Sequence, residues 1–311
     1  MNKWKFYNSR FEFLEDCMDH IWYGHIFFAY DLVRNLKPSI FVELGTYYGS
    51  SLSAFSQAVK DAKIQTHIFA IDSWEGDANT GYYGSYVYEH TRGLVKKYYP
   101  DLNINLVKKY FDKALDDFAD KSIDIIHIDG LHTYEAVKKD FTDWLPKMRE
   151  NGVMLFHDIF VPEYGVKDLW AELKSNPNYK FLEFPHSYGL GVLFLNGNDF
   201  DELFNDLDCE ELVNHYVQLA LKSISVEDII RAETSRNIIR AELEKTIDVF
   251  NKIKLDLEEA NRDREALHNK INELERINQD LCDVKLRLNN IESRKVFKIV
   301  NKLMTAIGRP L

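Results

Sequence analysis

The chain predicts an α/β protein: a doubly wound, mostly parallel sheet of seven strands with an antiparallel closing hairpin, followed by a long coiled-coil helix. Three observations carry that prediction. Apolar runs of strand length recur near residues 40–44, 66–71, 104–107, 124–128 and 152–157, separated by stretches long enough for helices, as βαβ units around a parallel sheet require. The run Ile123–Ile128 leads directly into Asp129-Gly130-Leu131-His132-Thr133-Tyr134, and ligands of open α/β sheets sit just past the carboxyl ends of such buried strands. Beyond about residue 226, glycine and proline vanish until Gly308 and charged residues dominate.

Taken in order, residues 1 to about 37 carry apolar positions at helical spacing, and Pro38 marks a stop before the first strand. After the fifth run come an amphipathic helix near 165–175 and two strands, 179–184 and 190–195, joined by a short turn. That pair reads as an antiparallel hairpin closing the sheet. A domain over 1–225 then gives way to a heptad over 226–292. It places Leu243, Phe250, Leu257, Arg264, Ile271, Asn278 and Lys285 at a, and Ile239, Thr246, Ile253, Ala260, Leu267, Leu274, Leu281 and Leu288 at d. Asn278 at an a position favours a parallel dimer in register, while Ile277, Val284 and Ile291 offer a competing seam. The rod would extend on the order of 100 Å. Residues 293–311 hold Arg294, Lys295, Lys298, Lys302 and Arg309 among apolar residues at helical spacing. Such a basic amphipathic tail can lie on an anionic membrane surface or dock on a partner protein; a frayed end of the coiled coil is the plainer alternative.

Composition bounds the function. With 311 residues, 45% hydrophobic and 14% aromatic, the chain can bury a sizeable core. A net charge of -11 argues against a broad nucleic-acid surface, so no nucleic-acid partner is expected. Cys17, Cys209 and Cys282 are too few and too scattered for a disulfide framework or a zinc site, which fits a reducing cytosol. No apolar run approaches the roughly 18 residues of a membrane span. The expected location is cytoplasmic, with the tail allowing a peripheral position at the inner face of the membrane.

Chemistry concentrates at strand ends. Glu43-Leu44-Gly45-Thr46-Tyr47-Tyr48-Gly49-Ser50-Ser51 follows the first strand and opens a helix, and Gly45 and Gly49 let the backbone approach a ligand closely. The spacing is not G-x-G-x-x-G and no Walker lysine follows, so a dinucleotide is disfavoured and a P-loop is excluded. Asp72, at the end of the second strand in Asp72-Ser73-Trp74-Glu75-Gly76-Asp77, is placed to accept from ribose hydroxyls, with a helix cap as the competing reading. A third strand end is Phe156-His157-Asp158.

These segments resemble the class I S-adenosylmethionine-dependent methyltransferases, which are Rossmann-like, and in particular the group that includes macrolide-sugar O-methyltransferases and cephalosporin-hydroxylase-like proteins. The likeness is carried by Val42-Glu43-Leu44-Gly45 with Gly49-Ser50, by Asp72–Asp77 with Gly81-Tyr82-Tyr83-Gly84, and by Ile128–Tyr134, Val137, Asp140, Trp144-Leu145-Pro146, Gly152, His157-Asp158, Gly165-Val166 and Gly189-Leu190-Gly191. It covers about residues 35–197. The resemblance implies that Glu43 and the loop of Gly45, Thr46, Tyr47, Gly49, Ser50 and Ser51 hold the methionine part of S-adenosylmethionine, and that Asp72 holds the ribose with Trp74 close by. Asp112 becomes a candidate near the adenine, a surface helix cap being the competing reading, and Asp129 also borders the cofactor. Several relatives use a divalent metal on acids matching Asp129 and the pair 157–158, which makes Asp129, His157 and Asp158 the candidate metal ligands; His157 stands where a carboxylate is usual.

Two mechanisms follow, with Asp129, His132 and His157 as candidate catalytic residues. In one, Mg²⁺ on Asp129 and Asp158 lowers the pKa of the acceptor hydroxyl and holds it against the methyl group. In the other, His132 or His157 acts as general base without metal. The metal version is favoured, because two acids at adjacent strand ends would otherwise repel. Tyr82, Tyr83, Tyr86, Tyr88, His90 and Arg92 offer an acceptor wall suited to a sugar ring, core packing being the alternative. The expected activity is O-methylation of a sugar or polysaccharide hydroxyl by a self-associating enzyme. The rival is a non-catalytic cofactor-binding scaffold whose coiled coil and tail organise a membrane-associated glycan-assembly complex.

Overall fold

The structure is a computed structural model that describes residues 4–18, 21–77, 80–204, 208–223 and 264–293. The chain divides into two compact units, Met1–Ile224 and Ser225–Leu311.

The first unit contains the predicted sheet. Its strands are β1 (Ile40–Leu44), β2 (His67–Asp72), β5 (Asn103–Lys108), β6 (Ile123–Ile128), β7 (Met148–His157), β8 (Lys180–Phe184) and β9 (Leu190–Phe194), in the order β5-β2-β1-β6-β7-β9-β8. The first five run parallel, and β9 pairs antiparallel with both β7 and β8. The order reverses between β1 and β6, which opens a crevice at their carboxyl ends. A separate ribbon of β3 (Gly76–Asp77) and β4 (Gly81–Tyr82) follows β2 and was not anticipated.

Alternation along each strand divides the core into two layers. Phe41, Ile125, Val153 and Leu155 face one side, beneath α1 (Ile26–Leu36) and α2 (Ser50–Ala62), and Val42, Ile126, Met154 and Phe156 face the other, with Val137 and Trp144 of α5 (Tyr134–Trp144) and Leu169 and Trp170 of α6 (Val166–Lys174). Burial on both faces explains why these strands read as unbroken apolar runs. The other helices of the unit are α3 (Tyr86–Tyr98), the single turn α4 (Phe111–Ala114), α7 (Gly197–Phe204) and α8 (Cys209–Ser223).

The N-terminal reading needs correction. Only Ile26–Leu36 is a regular helix; the described residues before it contain two short 3₁₀ turns and otherwise run as a strap. Trp4, Phe13, Cys17 and Trp22 are buried in the α1/α2 layer, so their spacing serves packing by an irregular segment rather than one helical stripe. In the second unit, Arg264–Ser293 forms a helix, α9, within the span assigned to the heptad. Residues 224–263 and the basic tail from 294 onward lie outside the described residues. No helix among the described residues is long and apolar enough to cross a membrane.

Candidate active site

Four carboxyl strand ends, those of β2, β1, β6 and β7, converge on one crevice, and each contributes an acid. Glu43 on β1 is fully buried and sits in register with His127 on β6. Its Oε1 accepts from Ser51 Oγ at 2.6 Å and lies 3.2 Å from His127 Nδ1, while its Oε2 has no hydrogen-bond partner. The turn after β1 then needs left-handed backbone: Gly45 has φ 90°, and a Cβ there would stand 1.9 Å from the carbonyl oxygen of Asp129. Gly49, φ 80°, opens α2. Thr46 Oγ1 is buried without a partner, and Ser50 Oγ lies 2.9 Å from Cys17 Sγ of the strap.

Asp72 organises the neighbouring turn. Its Oδ2 accepts from the Tyr47 N–H at 2.9 Å and its Oδ1 from the Trp74 N–H at 2.7 Å. Burial raises its pKa, an effect these N–H groups offset only in part. Trp74 is 1% exposed; its ring packs on Tyr88 and its Nε1–H donates to the Tyr47 carbonyl, so it supports the loop from below. Asp112 stands apart in α4, at the surface and paired with Lys113.

At the ends of β6 and β7 the structure brings together Asp129, His132, His157 and Asp158. His132 Nε2 lies 3.0 Å from Asp158 Oδ2 and 3.5 Å from Asp129 Oδ1. On the other ring, His157 Nδ1 lies 3.5 Å from Asp129 Oδ2 and 3.4 Å from Asp158 Oδ1, and its Nε2 faces the Ser187 carbonyl at 3.0 Å. One donor atom each from Asp129, His132 and Asp158 falls within 4.8 Å of the others. Asp158 has φ 64°, a strained conformation for a residue with a side chain, which aims its buried carboxylate into the cluster.

Electrostatics tie the four groups together. Burial alone would lower the His132 imidazole, but the hydrogen bonds and charges of Asp129 and Asp158 outweigh it and push its pKa up to about 10. His157 is raised by the same two acids against the same burial penalty. Conversely, burial would raise both carboxylates, and the imidazoles instead hold Asp129 well below the usual range and lower Asp158. The repulsion expected between the two acids is therefore relieved by imidazoles that flank them.

A further layer of side chains lies behind the cluster. The Ser187 carbonyl that meets His157 also lies 3.3 Å from His25 Nε2, and Trp22 packs against His127 and His157 with ring centroids 4.9 and 5.9 Å away. His186 Nε2 bonds the Gly24 carbonyl at 2.8 Å, linking the strap to the β8–β9 turn. His127 was detectable, since period two puts it on the face of Asp129; Trp22 and His25 carried no local signal. Of the expected acceptor wall, Tyr83, Tyr86 and Tyr88 pack about Tyr48, Trp74 and Val87, His90 stacks edgewise on Tyr48 and Arg92 pairs with Glu89. Tyr82 is 73% exposed.

Comparison with known proteins fits this geometry. Residues 42–159 match the family model described as a methyltransferase domain. The uncharacterized protein y4gI of Sinorhizobium fredii is 38% identical over 226 residues, which is 70% of this chain and 24% of that protein, so the chain spans about a quarter of its relative's length. Among solved structures, the S-adenosylhomocysteine-bound methyltransferase PaMTH1 of Podospora anserina aligns with TM-score 0.44 and 17% identity over 59% of this chain and 82% of its own. A methyltransferase from Geobacter sulfurreducens aligns with TM-score 0.43 and 15% identity over 56% of this chain and 80% of its own. The segment that supplies the Gly45 loop, Asp72 and the Asp129–Asp158 cluster is the part of the chain that matches the methyltransferase-domain model.

Proposed function

We propose that the protein is an S-adenosylmethionine-dependent O-methyltransferase acting on a hydroxyl of a sugar or polysaccharide, assisted by a divalent cation. One observation carries this reading: the Gly45 turn lies directly against Asp129, so a cofactor-binding loop and an acid–imidazole cluster share one wall of the crevice. The residues fit the cofactor. Glu43 Oε2 and Thr46 Oγ1 are buried polar atoms without a partner, suited to an amino-acid moiety, and the first turn of α2 offers N–H groups to a carboxylate. The Asp72 oxygens accept from the Tyr47 and Trp74 N–H groups, which fixes the carboxylate where it can also accept from a ribose hydroxyl.

The cofactor supplies an electrophilic methyl group on a sulfonium; a cation on the cluster would lower the pKa of the acceptor hydroxyl. Alignment and a deprotonated oxygen are then the protein's task. Asp129 and Asp158 are the acids that would hold the cation and orient the acceptor. The cation-free route is disfavoured because Asp129 and Asp158 raise the pKa of both His132 and His157, which makes either imidazole a less available base. A sugar acceptor is supported by the exposed rings of Tyr82 and Phe160, which suit stacking on a pyranose face.

The test is calorimetric titration of S-adenosylhomocysteine into the protein and the Asp72→Ala variant, followed by turnover with glycan extracts in EDTA and after return of a divalent cation. Asp72→Ala is expected to weaken binding by about 1–3 kcal/mol, the scale for losing charged hydrogen bonds. Absence of binding by the wild type would sink the reading. Full turnover in EDTA would remove the cation from it.

A further inference from the structure

We propose that His132 is itself a ligand of the cluster's cation, and that the resulting nitrogen–oxygen set of Asp129, His132 and Asp158 takes a divalent first-row transition ion, in the Fe²⁺ to Zn²⁺ range, in preference to Mg²⁺. The inference rests on the cation-assisted reading above and adds the identity of a ligand and the class of ion.

Geometry is the first support. Neighbouring ligands on an octahedral ion with bonds of about 2.1 Å stand about 3 Å apart. His132 Nε2 lies 3.0 Å from Asp158 Oδ2 and 3.5 Å from Asp129 Oδ1, so two edges of such a site need shifts of about half an ångström at most. One donor from each of the three residues falls within 4.8 Å of the others.

The second support is that the ring and its acids are built into place. His132 stacks on Tyr164 with centroids 4.4 Å apart and planes at 27°, and its carbonyl accepts the Gly165 N–H at 2.9 Å. Gly165 admits no side chain there, because a Cβ would stand 2.2 Å from the Tyr134 nitrogen. The Asp129 N–H is tied to the Leu44 carbonyl at 2.8 Å, and Asp158 is held in its strained backbone at φ 64°. Fixed ligand orientation of this kind is what a metal site draws on its surroundings to provide.

Donor chemistry then selects the ion. Mg²⁺ prefers an all-oxygen set and retains its waters, whereas imidazole suits the later first-row ions, for which affinity also rises along the series as far as Cu²⁺. The two carboxylates need a positive charge between them. A divalent ion on neutral His132 supplies it in place of the proton.

The full-length protein, stripped of metal, is titrated with Co²⁺, whose visible d–d absorption reports nitrogen ligation, and in parallel with Mg²⁺ by calorimetry. Co²⁺ is expected to bind about a hundredfold more tightly than Mg²⁺. His132→Asp should reduce that preference to about tenfold or less and shift the Co²⁺ spectrum toward an all-oxygen site. Comparable Co²⁺ and Mg²⁺ affinities in the wild type, a measurement that needs no variant, would overturn the inference, as would an unchanged spectrum and preference in folded His132→Asp. S-adenosylhomocysteine binding is measured on the same samples. Intact cofactor binding with no Co²⁺ preference defeats the metal inference alone; tight, His132-dependent Co²⁺ binding without cofactor binding defeats the methyl-transfer reading alone.

Discussion

Gly45 lies so close to Asp129 that a Cβ on the glycine would stand 1.9 Å from the aspartate's carbonyl oxygen. The contact joins the loop after β1, proposed to hold the cofactor, to the acidic cluster after β6 through backbone alone. Gly45 also has φ 90°, which costs a residue with a side chain about 1–2 kcal/mol even before the clash. Gly45→Ala is therefore expected to weaken S-adenosylhomocysteine binding by more than about tenfold, since loop and cluster cannot both keep their places. Calorimetry on the variant checks this, and binding at the wild-type level would show that the contact does not shape the site.

A second prediction concerns pH. Asp31 of α1 is 3% exposed and accepts from Tyr216 Oη at 2.6 Å and from the Tyr7 N–H at 3.1 Å, tying the strap and α8 to the core. Burial pushes its pKa up to about 6, only partly offset by those hydrogen bonds. Because the folded pKa lies above the unfolded one, the folded state binds the proton more tightly. The stability this group contributes is complete below about pH 4 and is lost as pH rises through about 6. Relative to Asp31→Asn, which has no such titration, the wild type should lose on the order of 2 kcal/mol between pH 4 and pH 8. Urea unfolding of both proteins across that range measures it; parallel pH profiles would contradict the assignment.

How far the sequence discloses this protein depends on the length scale of each feature. The strands were legible because burial on both faces leaves apolar runs such as Ile123–Ile128, and the chemistry was legible because Asp129 and His132 follow such a run directly. The N-terminal strap was not, since Trp4, Phe13 and Trp22 answer to an irregular tertiary surface that mimics helical spacing. His25 and Ser187 meet across 162 residues, a contact no local pattern encodes. Trp74, expected beside the cofactor, turned inward because its indole N–H finds the Tyr47 carbonyl.

That strap-to-hairpin contact gives the third prediction. A Cβ on Gly24 would stand 2.1 Å from Ser187 Oγ and 2.6 Å from His186 Cδ2. Ser187 and Tyr188 are both left-handed, with φ 48° and 68°, so the turn has little freedom to retreat. Gly24→Ala should cost about 1–3 kcal/mol of stability, the usual price of overpacking, and should also move the Ser187 carbonyl that faces His157. Urea unfolding reads the first effect and the His157 ring resonances read the second. A stable variant with unchanged resonances would mean that the strap and turn are not rigidly coupled.

The last prediction separates the two units. Helix α8 buries Leu212, Tyr216 and Ala220 against the rest of the first unit, and Tyr216 accepts from Trp4 Nε1 at 3.0 Å while donating to Asp31, so α8 completes the core rather than leading out of it. The sequence boundary between compact units falls after Ile224, beyond that helix. A protein ending at 224 should unfold in one cooperative transition and bind S-adenosylhomocysteine like the full chain. One ending at 204 loses two large buried side chains and leaves Asp31 and Trp4 without their partner, a change worth several kcal/mol, on the order of 3–5. It should be unfolded or strongly destabilised in urea titrations. If the 204 form bound S-adenosylhomocysteine as well as the 224 form, α8 would be dispensable to the proposed cofactor site, and the unit that binds it would end at the sheet.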